Sequence, residues 1–253
     1  MYMDLKLEEK MYKIKPFNYC YADEINNYWI ASENEGEYFK YYDPDVKYGI
    51  SLQDDLETLY KRGPLKNLVK GKDLYDYLCL NGNFTNCDYM RFSCDSIGNA
   101  WFYEKFLSKE NKKKYLKNMN TIGGKIIFPK NIKSINTARG LNSHIRDRFD
   151  LTLECIRLYY KKSKENYPLK ETLEKNCDFF DLFKSFKEYI DFFFLNCLVN
   201  ENENVKFFID EKFENPIPEN KENKKHLYLK TMEFIDDRNK EIQKFIKEEN
   251  FKV

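Results

Sequence analysis

The chain has 253 residues, a length that fits one large domain, and 43 basic against 42 acidic side chains give a formal net charge of +1. That balance argues against a protein that coats nucleic acid or membranes by bulk charge. Seven cysteines, only two histidines and no hydrophobic run of secretory or membrane-spanning length predict a cytoplasmic protein with reduced thiols, no metal, no cofactor and no membrane partner.

The N-terminal part of the chain carries few structural signals. Residues 1–42 are aromatic and acidic, and their periodicity assigns no element, so this part is poorly defined. Residues 43–45, Asp-Pro-Asp, predict a turn, because proline fixes its own φ and pushes the preceding residue out of the helical region. A helix is predicted from Ser51, with Asp54 as a capping acid, to the breaker at Gly63.

Strand patterns occupy the middle of the chain. Residues 89–93 alternate as a strand does, and the Asp-Ser pair at 95–96 is predicted to lie in the loop that follows. Residues 122–128 are rich in β-branched side chains and form the cleanest strand pattern. The adjacent Gly123 and Gly124 predict a bulge there, or a close approach of another group to the backbone.

Helical periodicity dominates the second half. It predicts helices over 141–162, 169–198 and 222–249, and a short strand over 205–209. The aromatic residues of the second helix recur at helical spacing, which favours a core role over a stacking platform for bases. The last helix takes its apolar positions from Leu229, Met232, Ile235, Ile242, Phe245 and Ile246.

These elements predict a single α+β domain over residues 1–253. A small, mostly antiparallel sheet would include 89–93, 122–128 and 205–209, with several long helices packed on it. The core block is expected at 121–209, followed by a C-terminal helix within 221–250. No internal repeat or low-complexity linker divides the chain.

The helix predicted through 141–160 has an unusual charge pattern. It is apolar over most of its circumference, as a buried helix is, and its charges concentrate on one stripe with Arg148 as the main exception. A mostly buried helix keeps ionised groups only if they pair, are hydrogen-bonded or line a wet cleft. The stripe, extended backwards, consists of Arg139, Arg146, Asp150, Glu154 and Arg157.

Two interpretations of this stripe stay open. In the first it is a polar cleft, where Arg139, Arg146 and Arg157 bind a phosphate or carboxylate. Asp150 or Glu154 would then act as the acid–base group. In the second it is an internal ladder of salt bridges that joins helices, because structural ion networks resemble active sites in composition. The four-residue spacing of Arg146 and Asp150 is that of a direct contact.

Four other residues are weaker candidates for a site. Asn136 precedes the N-terminus of the helix, where free backbone N–H groups favour an anion. His144 is either a general base or a hydrogen-bonded structural residue. Asp95 and Ser96 are either a second site or an ordinary helix cap.

Three strings carry a family signature: TIGGKIIFP at 121–129, INTARGLNSHIRDRFDLTLECIRLYY at 135–160 and CDFFDLFKSFKEYIDFFFLNCLV at 177–199. With them, and with looser matches from residue 43 to residue 247, the chain resembles an uncharacterised bacterial family known as a domain of unknown function. The resemblance implies a compact cytoplasmic domain built around 121–199. It implies no activity, cofactor or catalytic residue.

Three functions are compatible with the sequence. The first is a non-enzymatic protein-binding protein in a bacterial host–phage or defence setting, because heavy use of Lys, Asn, Tyr, Phe, Glu and Ile is typical of AT-rich genomes. Its narrowest form is an inhibitor of an RNA-guided (CRISPR) nuclease. The second is an enzyme that acts on a phosphorylated or nucleotide-like substrate through the stripe. The third is a nucleic-acid-binding protein that uses Lys112, Lys113, Lys114 and the tail helix.

Overall fold

A computed structural model of the chain describes residues 59–60, 62–68, 92–97, 107–119, 121–129, 139, 145, 148–210 and 213–248. The helices within these ranges are α1 (Gly63–Leu68), α2 (Lys109–Met119), α3 (Phe149–Tyr160), α4 (Lys170–Lys175), α5 (Cys177–Phe180), α6 (Phe186–Phe193) and α7 (Lys221–Glu248). Short 3-10 turns lie at Ile122–Gly124 and Asn196–Leu198. The strands are β1 (Phe92–Ser96) and β2 (Lys125–Pro129).

The two strands form an antiparallel ribbon in which Cys94 lies opposite Ile127. The predicted third strand over 205–209 is wrong, because that segment contributes only an isolated bridge between Val205 and Val199. In the described ranges the chain is mostly helical with one two-stranded ribbon, and the predicted α+β class is not confirmed. The helices therefore pack mainly on one another.

The long C-terminal helix agrees with its prediction to within one residue at each end, since α7 runs from Lys221 to Glu248. The helix predicted from residue 141 instead begins at Phe149. Arg148 before it has φ −122° and ψ 88°, outside the helical region, and Ile145 lies in a turn. Helical periodicity therefore applies only from Phe149 onwards.

The single helix predicted over 169–198 is wrong, because this segment divides into α4, α5, α6 and a 3-10 turn. A capping box starts α6. The Ser185 hydroxyl accepts the N–H of Glu188 at 3.1 Å, and the Glu188 carboxylate accepts the N–H of Lys184 at 2.8 Å. Phe194 ends the helix in the left-handed region at φ 57°. Local capping at these residues thus divides the helix, although the apolar residues keep their helical spacing.

Gly123 and Gly124 confirm the predicted close approach to the backbone. They lie in a 3-10 turn, so regular strand begins only at Lys125. The Gly123 N–H donates to Asn239 Oδ1 at 2.7 Å. A Cβ at Gly123 would lie 2.5 Å from that oxygen and 2.8 Å from the Ile235 carbonyl oxygen. Because glycine has no Cβ, the turn at Gly123 packs directly against α7.

Aromatic side chains form much of the core of the described residues. The ring centroids of Tyr189 and Phe193 are 4.8 Å apart, and Phe180 packs against Phe128 of the ribbon at 5.7 Å. The predicted core role of the aromatic segment is confirmed by burial of Phe179, Phe180, Phe183, Phe186, Tyr189, Phe192, Phe193 and Phe194. Buried in this way, these rings are not available to stack on bases.

Arg238 of α7 lies fully buried among these elements. Its Nε donates to the Phe193 carbonyl oxygen at 3.0 Å, and its Nη1 donates to the carbonyl oxygens of Gly123 and Lys125, both at 2.6 Å. Its Nη2 donates to the Tyr60 hydroxyl at 2.7 Å. One side chain thus ties α7 to the ribbon, to the end of α6 and to the segment before α1.

Replacing Arg238 should destabilise the fold strongly. Arg238→Met keeps an unbranched chain but removes the donor of three buried carbonyl oxygens and a phenol, and buried acceptors without a donor are costly. We expect the free energy of unfolding in urea to fall by about 3 kcal/mol or more. Lys244→Ala, on the same helix with 77% of its side chain exposed, is the control. Equal stability of the two variants would contradict the stabilising role of the Arg238 hydrogen bonds.

Candidate functional site

Three residues of the charged stripe, Asp150, Glu154 and Arg157, lie on α3. Every residue of α3 from Phe149 to Ile156 is buried, including Asp150 at 0% exposure and Glu154 at 2%. Arg139 is also buried, and its guanidinium carbon lies 5.5 Å from the centroid of the Phe149 ring. Ionised groups in such surroundings require partners, so the contacts of each carboxylate decide between a cleft and a ladder.

Asp150 is paired with Arg148. Arg148 Nε lies 2.9 Å from Asp150 Oδ1 and Nη2 lies 2.7 Å from Oδ2, with both side chains fully buried. The prediction that sets Arg148 apart from the stripe is wrong, because Arg148 precedes the first helical residue and its side chain folds back over the first turn. A carboxylate in that turn is also favoured by the helix dipole.

The pair holds a distant segment of the chain. Asp150 Oδ2 accepts the N–H of Phe208 at 2.8 Å. Arg148 donates to the carbonyl oxygens of Pro216 and Asp210, at 2.9 and 2.7 Å. We call this arrangement of Arg148 and Asp150 with the backbone of Phe208, Asp210 and Pro216 the clamp. It attaches the segment that leads into α7 to the start of α3.

Glu154 is paired in the same manner. Arg157 Nε lies 2.7 Å from Glu154 Oε2, and Nη2 lies 2.5 Å from Oε1. The Arg157 side chain is 13% exposed. A fork that occupies both carboxylate oxygens leaves little room for proton transfer to a substrate. Both acids of the stripe are thus held in local ion pairs at α3, and neither pair joins α3 to another helix.

The remaining sequence candidates lie elsewhere. Asn136, His144 and Arg146 fall outside the described residues. Asp95 and Ser96 belong to β1, where they pair with Ile126 and Lys125, so the predicted capping loop is wrong at these positions. Ladder hydrogen bonds to β2 extend the strand through two residue types that otherwise favour loops.

An open groove between α2 and α7 was missed by the sequence reasoning. The two helices run in the same direction, since Tyr228 donates to the Asn111 carbonyl oxygen at 3.0 Å and Asn118 donates to Asp236 at 2.5 Å. Between them lies a groove of about 830 Å³. Leu229, predicted as one of the apolar positions of the last helix, lines this groove. Among the large apolar side chains of the described ranges it is the exposed one, at 51%.

Charge is unevenly distributed along the groove. Lys221 and Lys225 line it near the N-terminus of α7, and Lys114 lines it from α2. Glu233, Asp236 and Asp237 follow towards the C-terminus of α7. The signal in the sequence is the spacing of Lys221, Lys225, Leu229 and Met232, which places them on one helical face. The opposite wall comes from a segment more than one hundred residues earlier, which the spacing does not reveal.

The described residues of the stripe and of the groove do not form a metal site. In the part of the chain that the structure describes, no three His, Cys, Asp or Glu side chains converge on a point where an ion would bind. None of the described helices is long and apolar enough to cross a bilayer.

Breaking the clamp should be costly. Asp150→Asn preserves shape but leaves the buried Arg148 guanidinium with only the half-exposed Asp210 carboxylate, 3.7 Å away, as counter-charge. We therefore expect the free energy of unfolding to fall by about 3 kcal/mol in urea titrations. Glu171→Gln is the matched control, because it breaks an ion pair with Lys175 whose side chains are 85% and 74% exposed. The control should change stability by less than about 0.5 kcal/mol. Comparable losses in both variants would argue against the clamp.

The cysteines should differ in reactivity. Burial raises the pKa of the Cys155 thiol from 9.0 to about 12, and burial likewise raises that of Cys197 to about 12, whereas Cys177 is exposed. Because the folded pKa values are raised, these two thiols contribute stability below pH 9 that is lost as the pH rises towards 12. Brief alkylation at about pH 8, mapped by mass spectrometry, should label Cys177 and spare Cys155 and Cys197 until denaturant is added. Early labelling of Cys155 would show that α3 opens readily.

Comparison with known proteins gives one match. No curated protein and no solved structure is detectably similar to the chain. Residues 40–242, about four-fifths of the chain, match DUF6994, a family of unknown function. The matched range contains the ribbon, the clamp and the groove-lining part of α7 as far as Lys240. The chain belongs to this family of unknown function.

Proposed function

We propose that the chain is a protein-binding protein without chemistry of its own, and that it contacts its partner through the groove between α2 and α7. The observation that carries this proposal is Leu229, a large apolar side chain that is half exposed inside a concave surface between two helices. Exposed apolar side chains are common singly, but one set in a groove is typical of an interaction surface.

The surroundings of Leu229 support this function. Tyr228 and Met232 lie beside it on α7, both almost fully buried, and Leu107 faces the groove before α2. A partner side chain that packs on Leu229 would therefore also meet the half-buried Leu107. Grooves between packed helices are a recurrent docking place for an amphipathic partner helix, which inserts side chains at helical spacing.

The state of the stripe argues against the enzymatic alternative. General acid–base catalysis needs a carboxyl group within hydrogen-bond reach of the substrate. Both oxygens of Asp150 and both oxygens of Glu154 already accept hydrogen bonds from an arginine at 2.9 Å or less. These acids are thus engaged inside the protein, which favours the groove over the stripe as the contact surface.

The setting that we propose is the cytoplasm of a bacterium, with a host or phage protein as the partner. This setting rests on the amino-acid usage of the chain, which is typical of proteins from AT-rich genomes. The narrowest form of the proposal makes the partner an RNA-guided nuclease, and in that case the purified chain would inhibit target cleavage by the nuclease in proportion to its binding.

Affinity capture tests the function. The immobilised chain should retain a specific protein from a low-GC bacterial lysate, and Leu229→Asp should reduce its recovery by about tenfold, because a charge on the apolar anchor must be desolvated on binding. Lys175→Glu, a charge change at an exposed site on α4, is the matched control and should retain the protein as wild type does. Recovery that is equal in all three forms would refute the proposal, as would the absence of any specific protein.

A further inference from the structure

Three of the four lysines that line the groove form no ion pair with the described carboxylates, and the fourth, Lys240, pairs with Asp237. Lys114, Lys221 and Lys225 are exposed, and within the described residues none of them lies within ion-pair distance of a carboxylate. Lys221 and Lys225 also lie in the first turns of α7, where the helix dipole adds positive potential. This part of the groove therefore attracts negative charge.

The acidic residues further along the groove are already engaged. Asp237 accepts from Lys240 at 2.7 Å, and Asp236 accepts from Asn118 at 2.5 Å. Glu233 accepts from Lys230 at 2.7 Å. Among the residues described, Lys221 and Lys225 are thus unpaired at the N-terminal end of the groove, whereas Asp236, held only by a neutral amide, keeps its negative charge further along. This distribution indicates an occupant whose acidic groups lie at the end next to Lys221 and Lys225.

The distance between the charged and apolar parts sets the spacing of the occupant. At a rise of about 1.5 Å per residue, Lys221 and Leu229 are separated by about 12 Å along the axis of α7. Lys225 lies one turn before Leu229, and Met232 follows about one turn after it. A helix lying along the groove would therefore carry its acids one to two turns away from its apolar anchors.

We propose that the occupant is an amphipathic helix of the partner protein with an acidic turn at one end and apolar anchors beyond it. The acidic turn contacts Lys221 and Lys225, and the anchors pack on Leu229 and Met232. This inference rests on the proposed function and specifies its partner by charge. It differs from the nucleic-acid alternative because an apolar side chain lies at the centre of the contact.

Synthetic peptides test the charge order. The probe is a fluorescently labelled, alanine-based helical peptide of about 18 residues. It carries two glutamates four residues apart and two leucines at the spacing that separates Lys221 from Leu229 and Met232. A second peptide has the reverse sequence direction, since the helix can dock either way. In the control peptides lysines replace the glutamates.

At low ionic strength the wild-type chain should bind a glutamate peptide about tenfold more tightly than its lysine counterpart, as measured by fluorescence anisotropy. The double variant Lys221→Glu with Lys225→Glu should reverse this preference, because it inverts the charge of the groove. Lys175→Glu should leave it unchanged. Thermal unfolding of each variant within about two degrees of wild type shows that the exposed substitutions preserve the fold.

Equal binding of glutamate and lysine peptides would overturn the inference, as would a preference that survives the double charge reversal. Tighter binding of a DNA duplex than of the glutamate peptide would assign the lysines to nucleic acid instead. Self-association in sedimentation that Leu229→Asp abolishes would assign the groove to a second copy of the chain. Loss of the captured protein on Leu229→Asp without any charge preference would remove this inference and keep the proposed function.

Discussion

The buried guanidinium of Arg238 connects parts of the chain that are far apart in the sequence. Its acceptors are carbonyl oxygens of the glycine turn and β2, the last carbonyl of α6 and the phenol of Tyr60. Carbonyl dipoles, among them the negative end of α6, stabilise its charge where no described carboxylate pairs with it. Because arginine presents its donors in a rigid plane, each acceptor must occupy a set position. This requirement determines how α7 packs on the ribbon.

Part of this fold could be predicted from the sequence. The bounds of α7 follow from a long amphipathic period, and the tight contact at Gly123 follows from two adjacent glycines in a β-branched run. The division of 169–198 could not be read from periodicity, because the aromatic residues keep their helical spacing across the breaks. The signal that interrupts the helix is the short capping box at Ser185 and Glu188, whose effect is local.

The candidate site was harder to predict for two reasons. The sequence located the buried charges of α3 but assigned Arg148 away from Asp150. The reason is that the predicted helix included residues before Phe149, where the helix in fact begins. The groove depends on two helices that are adjacent only in the folded chain. Periodicity grouped Leu229 with the other apolar positions of the last helix, because it cannot distinguish a face that packs on a neighbour from one left open beside it.

The clamp of Arg148 and Asp150 fixes the approach of the chain to α7, and Arg238 fixes the same helix further along. The side chains that line the groove take part neither in the clamp nor in the hydrogen bonds of Arg238. If the groove binds a partner as proposed, its backbone is preorganised, and little conformational entropy of that backbone would be lost on binding. The groove is also free to evolve: recognition can diverge through substitutions at the rim, while the interior that supports it keeps the same architecture.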